Sequence, residues 1–307
     1  MMKKMIQLLA YIALPMMAAA CGGNNNATPA SAATEALASS TVSDSDDNLT
    51  VFRHINREDV IKYQVTNPDM DIEGLDGFYA RAACSLTWPK TVMGRESQRL
   101  QQALIDKIIG EPNKYKSLDA ALDHEMDAAN YIPFEKSDVK DIKRIKRIPD
   151  EAGMNQAYYD VQLTPMKMDK NLYVFQFSKD SYMGGAHGLF WTEYVTYDVA
   201  QDKVVKLTDL VTDTVKLRQV VTQTLCEMEN VANKAELVEN GYFIDEATAP
   251  LARNYYVDQF TLHMVYSPYE IASYARGEVD VEIDFYRLDQ AGIASAYLNQ
   301  LVERYTR

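Results

Sequence analysis

From Phe260 to Phe285 the chain runs FTLHMVYSPYEIASYARGEVDVEIDF, two alternating runs joined by a corner. In the second run Val279, Val281, Ile283 and Phe285 alternate with Glu278, Asp280, Glu282 and Asp284. A period of two with one apolar and one acidic face predicts an antiparallel strand, covered on one side and wet on the other. In the first run Phe260, Leu262, Met264 and Tyr266 share a face by the same rule. Pro268 fixes one backbone angle of the corner. Gly277 can take the positive φ that a return into the next strand often needs.

Upstream, the folded body is expected to begin near Val51. VFRHINREDVIKYQV reads as extended, and ARAACSLTWP at 80–89 as a strand. Leu100, Leu104 and Ile108 recur every four residues, which predicts a helix over 95–109 stopped by Gly110 and Pro112. Ser117 is placed to cap a second helix whose stripe is Leu118, Ala121, Leu122, Met126 and Ala129. The basic run 138–147, DVKDIKRIKR, suits a solvated strand or short helix. YYDVQL, NLYVFQF and WTEYVTYDV predict three strands, with Asp169-Lys170-Asn171 and GGAHG as their links. Asp213 is placed to cap a helix over 214–230, with Leu217, Val220, Val221, Leu225 and Met228 inward. Residues 239–256 read as irregular. A last helix is expected over 290–304 from Ile293, Tyr297 and Leu301. The fold class that follows is α+β: mostly antiparallel β-sheet with packed helices, in two successive strand-and-helix modules.

The first residues suggest export. Lys3 and Lys4 precede an apolar run from Met5 to Met17 that is too short to span a bilayer. Ala18-Ala19-Ala20-Cys21 resembles a lipobox, with Ala18 where Leu is usual. Residues 1–20 are therefore expected to be a lipoprotein signal peptide and Cys21 the lipidation site, holding the chain to a membrane. An ordinary signal peptide cut nearby is the alternative. Residues 22–50 are mostly Gly, Asn, Ala, Ser, Thr and Asp, too polar to bury a core, so 21–50 is expected to be a disordered tether. Gly22-Gly23-Asn24 lacks the early acids that some bacteria use to export lipoproteins to the cell surface. A periplasm-facing anchor in the cell envelope is favoured over the surface.

Two motifs carry a family resemblance. VYSPYEIASYARG followed by an alternating strand resembles the module known as domain of unknown function 3298. GGAHG at 184–188, followed by an alternating strand and VVKLTDLV, resembles its junction with domain of unknown function 4163. The pair is similar to the outer part of lysozyme-sensing anti-sigma factors, and also accompanies some peptidoglycan deacetylases. The resemblance implies a 4163-like module over 51–200 and a 3298-like module over 201–307. Related chains commonly have a Gly-containing turn where Asp202-Lys203 stands here.

Chemistry is sparse. Gly184, Gly185 and Gly188 surround His187, which suits either a loop presenting the imidazole to a ligand or a tight corner. The corner at 266–274 offers Tyr269, Glu270 and Tyr274, as a recognition surface or as a plug over the sheet end. His124-Glu125 begins a zinc-protease helix motif, but Ala128 stands at the second ligand position. His54 remains unassigned, and His263 reads as a paired strand residue. The chain has no CxxC, G-x-S-x-G, P-loop or dinucleotide glycine pattern, so no cofactor and no metal is expected. Cys84 and Cys226 could bridge in an oxidising compartment, or remain free and buried.

The formal net charge is −13, with both leader lysines included, which disfavours nucleic acid. An acidic body can attract a basic partner or simply stay soluble. Three functions remain. The first is a non-catalytic envelope lipoprotein that binds a macromolecule, by resemblance a basic lysozyme-like protein or peptidoglycan. The second is an enzyme acting on cell-wall glycan or peptide with His187 as base, although the related deacetylases keep their chemistry in a separate domain. The third is a structural accessory of an envelope complex. Anti-sigma activity is not expected, since no sigma-binding segment or spanning helix is evident.

Overall fold

The computed structural model describes residues 50–66 and 77–307. The expected signal peptide at 1–20, Cys21 and, apart from Thr50, the tether at 21–50 lie outside these residues. Strand β1 (Val51–Val65) pairs antiparallel with β2 (Phe78–Thr91), whose Ala80, Ala82, Cys84, Leu86 and Trp88 alternate inward. Helix α1 (Gln98–Ile109) starts later than its periodicity suggests. Val92 and Arg95 exchange two backbone hydrogen bonds that hold a turn, and Ser97 caps the helix by accepting from the Leu100 amide. Helix α2 (Leu118–Glu125) has Ser117 as its cap, as expected. It ends before Ala129, because Asp127 starts a 3-10 turn that buries Ala128 and leaves Ala129 exposed.

The basic run forms β3 (Val139–Arg144), a solvated edge strand on β1. Its lysines suit an edge, because charge discourages pairing with another chain. Then come β4 (Gln156–Met168), β5 (Leu172–Tyr182), β6 (Leu189–Asp198) and the short β7 (Lys203–Val204). The sheet order is β3-β1-β2-β4-β5-β6-β7. Only β2 and β4 run parallel within it, and parallel neighbours need a long crossover, here the segment holding α1, α2 and β3. One sheet face meets both helices: Leu86, Val161, Leu163, Phe175 and Phe177 pack with Leu100, Leu104, Ile108 and Leu122. Each such leucine, fully buried, contributes about 1.5–3 kcal/mol.

The second half opens with α3 (Leu207–Leu210), α4 (Thr214–Met228) and α5 (Lys234–Glu239). Asp213 caps α4 by accepting from the Val215 and Lys216 amides. Leu217, Val220, Val221 and Leu225 are buried, whereas Met228 is exposed at the helix end. Helix α5 and the start of β8 (Asn254–Asp258) fall where no regular element was evident in the sequence. Strands β9 (Thr261–Tyr266) and β10 (Val279–Asp284) complete a separate antiparallel sheet, order β10-β9-β8. Helices α6 (Phe285–Gln290) and α7 (Ala296–Thr306) replace the single expected helix. Gly292, at φ 65°, separates them, so Ile293 reaches the core from the linker.

The alternating runs hold with three corrections. Leu262, Met264 and Tyr266 are buried with Val279, Val281 and Ile283, but Phe260 lies in the β8–β9 turn and is exposed. Phe285 has left the strand and heads α6. The far face of β9 is not wet: His263 and Val265 are buried, because β9 is central and that side meets Val174 and Tyr194 of the large sheet. The architecture is α+β and mostly antiparallel, in two successive strand-and-helix parts with separate sheets and cores.

The parts are joined by polar contacts. Asp198 of β6 is fully buried and accepts from the two terminal guanidinium nitrogens of Arg304, at 2.9 and 2.5 Å, and from the Tyr297 hydroxyl at 2.8 Å. The Tyr305 hydroxyl donates to Asp169 at 2.8 Å. Asp202 stands at φ 48° in the β6–β7 turn, a left-handed conformation that favours glycine. Its carboxylate accepts from Ser97, Tyr197 and Arg99, tying the turn to the start of α1. Cys84 and Cys226 are free and buried, one in each core. Among the described residues no helix is long and apolar enough to cross a membrane.

Candidate functional site

GGAHG forms the link between β5 and β6. Gly184 stands at φ 90°, a conformation that L side chains rarely adopt. Gly188 is needed for closeness instead: a Cβ there would sit 2.9 Å from the Ser181 carbonyl oxygen. The Tyr182 hydroxyl donates to the Gly185 carbonyl at 2.9 Å and holds the loop to its own hairpin. His187 is exposed, with Nδ1 2.8 Å from the Gly188 carbonyl. That carbonyl can only accept, so Nδ1 carries the proton.

The corner between β9 and β10 is stiffened from within. Glu270 accepts from the Ser267 amide and from the Arg253 amide, both at 3.0 Å. Tyr269 adopts φ 69°, and its amide donates to the Ala272 carbonyl at 3.1 Å. Ala272 bridges to Tyr242, and Arg276 lies over the Tyr242 ring while donating to Glu229 at 2.7 Å. Burial, with the hydrogen bond to Glu229, pushes the Tyr242 phenol up to about 12.

These two segments, far apart in the chain, meet. The His187 ring stacks on Tyr274 with centroids 4.2 Å apart and planes 23° apart. Tyr274 in turn lies 5.7 Å from Tyr269. Glu278, just after the corner, accepts from the Thr192 amide at 2.9 Å and from its hydroxyl at 2.5 Å, fastening the corner to β6. Tyr269 is 47% exposed and Phe190, near the foot of the glycine loop, 43%. Both segments thus contribute to one side of the molecule, with His187, Tyr274 and Tyr269 as a continuous ring contact. Gly184, Gly185 and Gly188 shape it. Both oxygens of Glu270 hold backbone amides of the corner and its neighbour.

The carboxylates nearest His187 in the chain do not orient it. Asp180 accepts from the Tyr158 hydroxyl at 3.5 Å, and Glu193 pairs with Lys179 and Lys107. One group was not singled out from the sequence and another was read only as a paired strand residue. Glu278 could have been, since it opens the acidic face of β10. His263 is paired in the strand as expected, and is buried at the β9 centre with Asp280 on one side and Asp258 on the other.

An α+β body with two sheets, joined loops at one side and a buried polar junction matches known folds. Residues 208–286 match the family described as "Protein of unknown function (DUF3298)", a stretch from α3 to the start of α6. A solved member of that family from Bacteroides fragilis is similar in structure, with a TM-score of 0.60 at 17% identity, over 84% of this chain and 100% of that one. A DUF3298 family protein from Pseudomonas aeruginosa has a TM-score of 0.50 at 14% identity, over 82% and 97%. At these identities the likeness is one of fold. No curated protein matches.

Proposed function

We propose that this chain is an envelope-anchored lipoprotein, held by Cys21, whose body recognises a macromolecule without catalysis. The observation that carries the reading is the stacking of His187 on Tyr274, which joins the glycine loop and the tyrosine corner. Rings that are partly exposed and held by a stiff backbone suit recognition, because they offer contact area at little entropic cost. The same contact speaks against His187 as a general base. Its Nδ1 faces its neighbour's carbonyl rather than a carboxylate, and one ring face is covered. The acidic charge favours a basic ligand, and a lysozyme-like protein is the first to test, with peptidoglycan fragments second. A periplasm-facing anchor fits the sequence around Cys21. The role of accessory to an envelope complex requires stable co-purification with a membrane partner.

The test compares His187→Ala and Tyr274→Ala with the parent protein. A recognition surface loses affinity in both while the fold is kept. Turnover of a cell-wall substrate that disappears in a folded His187→Ala protein would establish the enzyme instead.

A further inference from the structure

His263 lies at the centre of the small sheet, directly opposite Glu282 on β10 and Tyr256 on β8. Asp280 precedes Glu282 by two positions, and the strand period puts both carboxylates on the histidine's face. One ligand atom from each of His263, Asp280 and Glu282 lies within 4.8 Å of the other two. His263 Nδ1 is 3.0 Å from Asp280 Oδ2, and Nε2 is 3.4 Å from Asp258 Oδ1. Asp258 is itself held by Lys167. Tyr256 stacks on the imidazole with centroids 4.1 Å apart and planes 8° apart, so the ring cannot turn freely. The other oxygen of Asp280, Oδ1, is buried and has no hydrogen-bond partner. A buried carboxylate oxygen without a donor is costly unless positive charge comes to it.

We propose that His263, Asp280 and Glu282 bind a divalent transition-metal ion of the zinc class, with Asp258 as the positioning residue behind the histidine. Zinc takes imidazole nitrogen and carboxylate oxygen at about 2.0–2.2 Å. The three side chains already converge, and Glu282 is exposed and free to swing the remaining distance. Histidines that ligate a metal usually donate their second ring N–H to a carboxylate, which fixes the tautomer. Asp258 stands where that partner belongs, leaving the Nδ1 lone pair for the ion. One nitrogen and carboxylate oxygens, with no sulfur, disfavour copper(I), and calcium takes more oxygens than three residues supply. Three protein ligands leave one position for water or for a group on a partner. Bound there, the ion would clamp β9 to β10 beside the face where the small sheet meets the large one. Without it, the same residues make a closed knot of imidazole between carboxylates, and experiment separates the two states.

The full chain, stripped with a chelator, is titrated with Co²⁺ while visible absorption is followed, and Zn²⁺ is then added as competitor. Saturable d–d bands that Zn²⁺ abolishes are expected, together with a Zn²⁺-dependent rise in Tm. Asp258→Asn should weaken binding by about 10–100-fold, the range for loss of such a positioning group. Glu282→Gln changes an exposed side chain, so the fold survives, and it should weaken binding at least as much. His187→Ala should leave it unchanged. Absence of both signals in the parent protein overturns the site, as does binding that survives unaltered in both His263→Gln and Glu282→Gln.

Discussion

His187 stacks on Tyr274 at a centroid distance of 4.2 Å, joining the β5–β6 loop of one sheet to the β9–β10 corner of the other. The contact is supported on both sides. Gly188 brings the loop close to its own hairpin, and Glu278 ties the base of the corner to Thr192. Two motifs that look unrelated in the sequence are one surface because the small sheet docks beside β5 and β6.

If that surface recognises a ligand, Tyr274→Ala should reduce affinity by about tenfold, since aromatic contacts contribute about 0.5–1.5 kcal/mol beyond burial. Glu270→Ala should act differently. It frees two amides and should lower stability by about 1–2 kcal/mol, with affinity falling only as the corner loosens. Calorimetric titration beside urea unfolding distinguishes the two effects.

Gly188→Ala should destabilise the protein by about 1–3 kcal/mol, because the new Cβ meets a backbone oxygen that cannot rotate away. Gly185→Ala meets open space, and its penalty comes only from the φ of 100°. Thermal unfolding of the two variants should rank Gly188→Ala as the more damaging.

Asp198 and Arg304 give a pH signature. Burial alone would raise the Asp198 carboxyl, but hydrogen bonds from Arg304, Tyr297 and the Gln201 amide outweigh it and hold its pKa below the ordinary value. The unfolded chain takes up the proton first as pH falls, at about pH 4. The stability that Asp198 contributes is therefore full above that pH and is lost as pH drops through the lower folded value. Arg304→Met should cost about 3 kcal/mol at neutral pH, since it strands a buried carboxylate. Urea unfolding should show that deficit shrinking in acid.

Cys84 and Cys226 should both react with an alkylating reagent only after unfolding, without prior reduction. Burial raises the Cys84 thiol above its ordinary pKa and makes it a poor nucleophile in the folded chain. Peptide mapping that finds the two joined would contradict the separate cores.

Much of this architecture is legible in the sequence because one covered sheet face writes a period of two. The inward rows of β4 and β10 follow that rule residue by residue, whereas Leu172 to Phe175 of β5 are all buried because its other face meets the second core and the small sheet. It fails at β9, where a central strand is covered on both faces and His263 carries no apolar signal. Helix starts at Ser117 and Asp213 are visible because a cap is a local hydrogen bond. The α1 start is not, because the Val92–Arg95 turn precedes it, and the α6–α7 break depends on a single glycine. Asp202 looks anomalous until Ser97, Tyr197 and Arg99 are seen around it. The glycine loop and the tyrosine corner were each visible as candidates. Their meeting was not, because pairing across two sheets leaves no spacing in the chain.

The most direct measurement is calorimetric titration of the purified protein with a C-type lysozyme, with the Tyr274→Ala variant in parallel. The account predicts saturable binding that weakens with salt, as an acidic body meeting a basic partner requires, and that weakens further in the variant. Absence of heat at high micromolar concentration would contradict lysozyme as the ligand. Full affinity in Tyr274→Ala would contradict the surface.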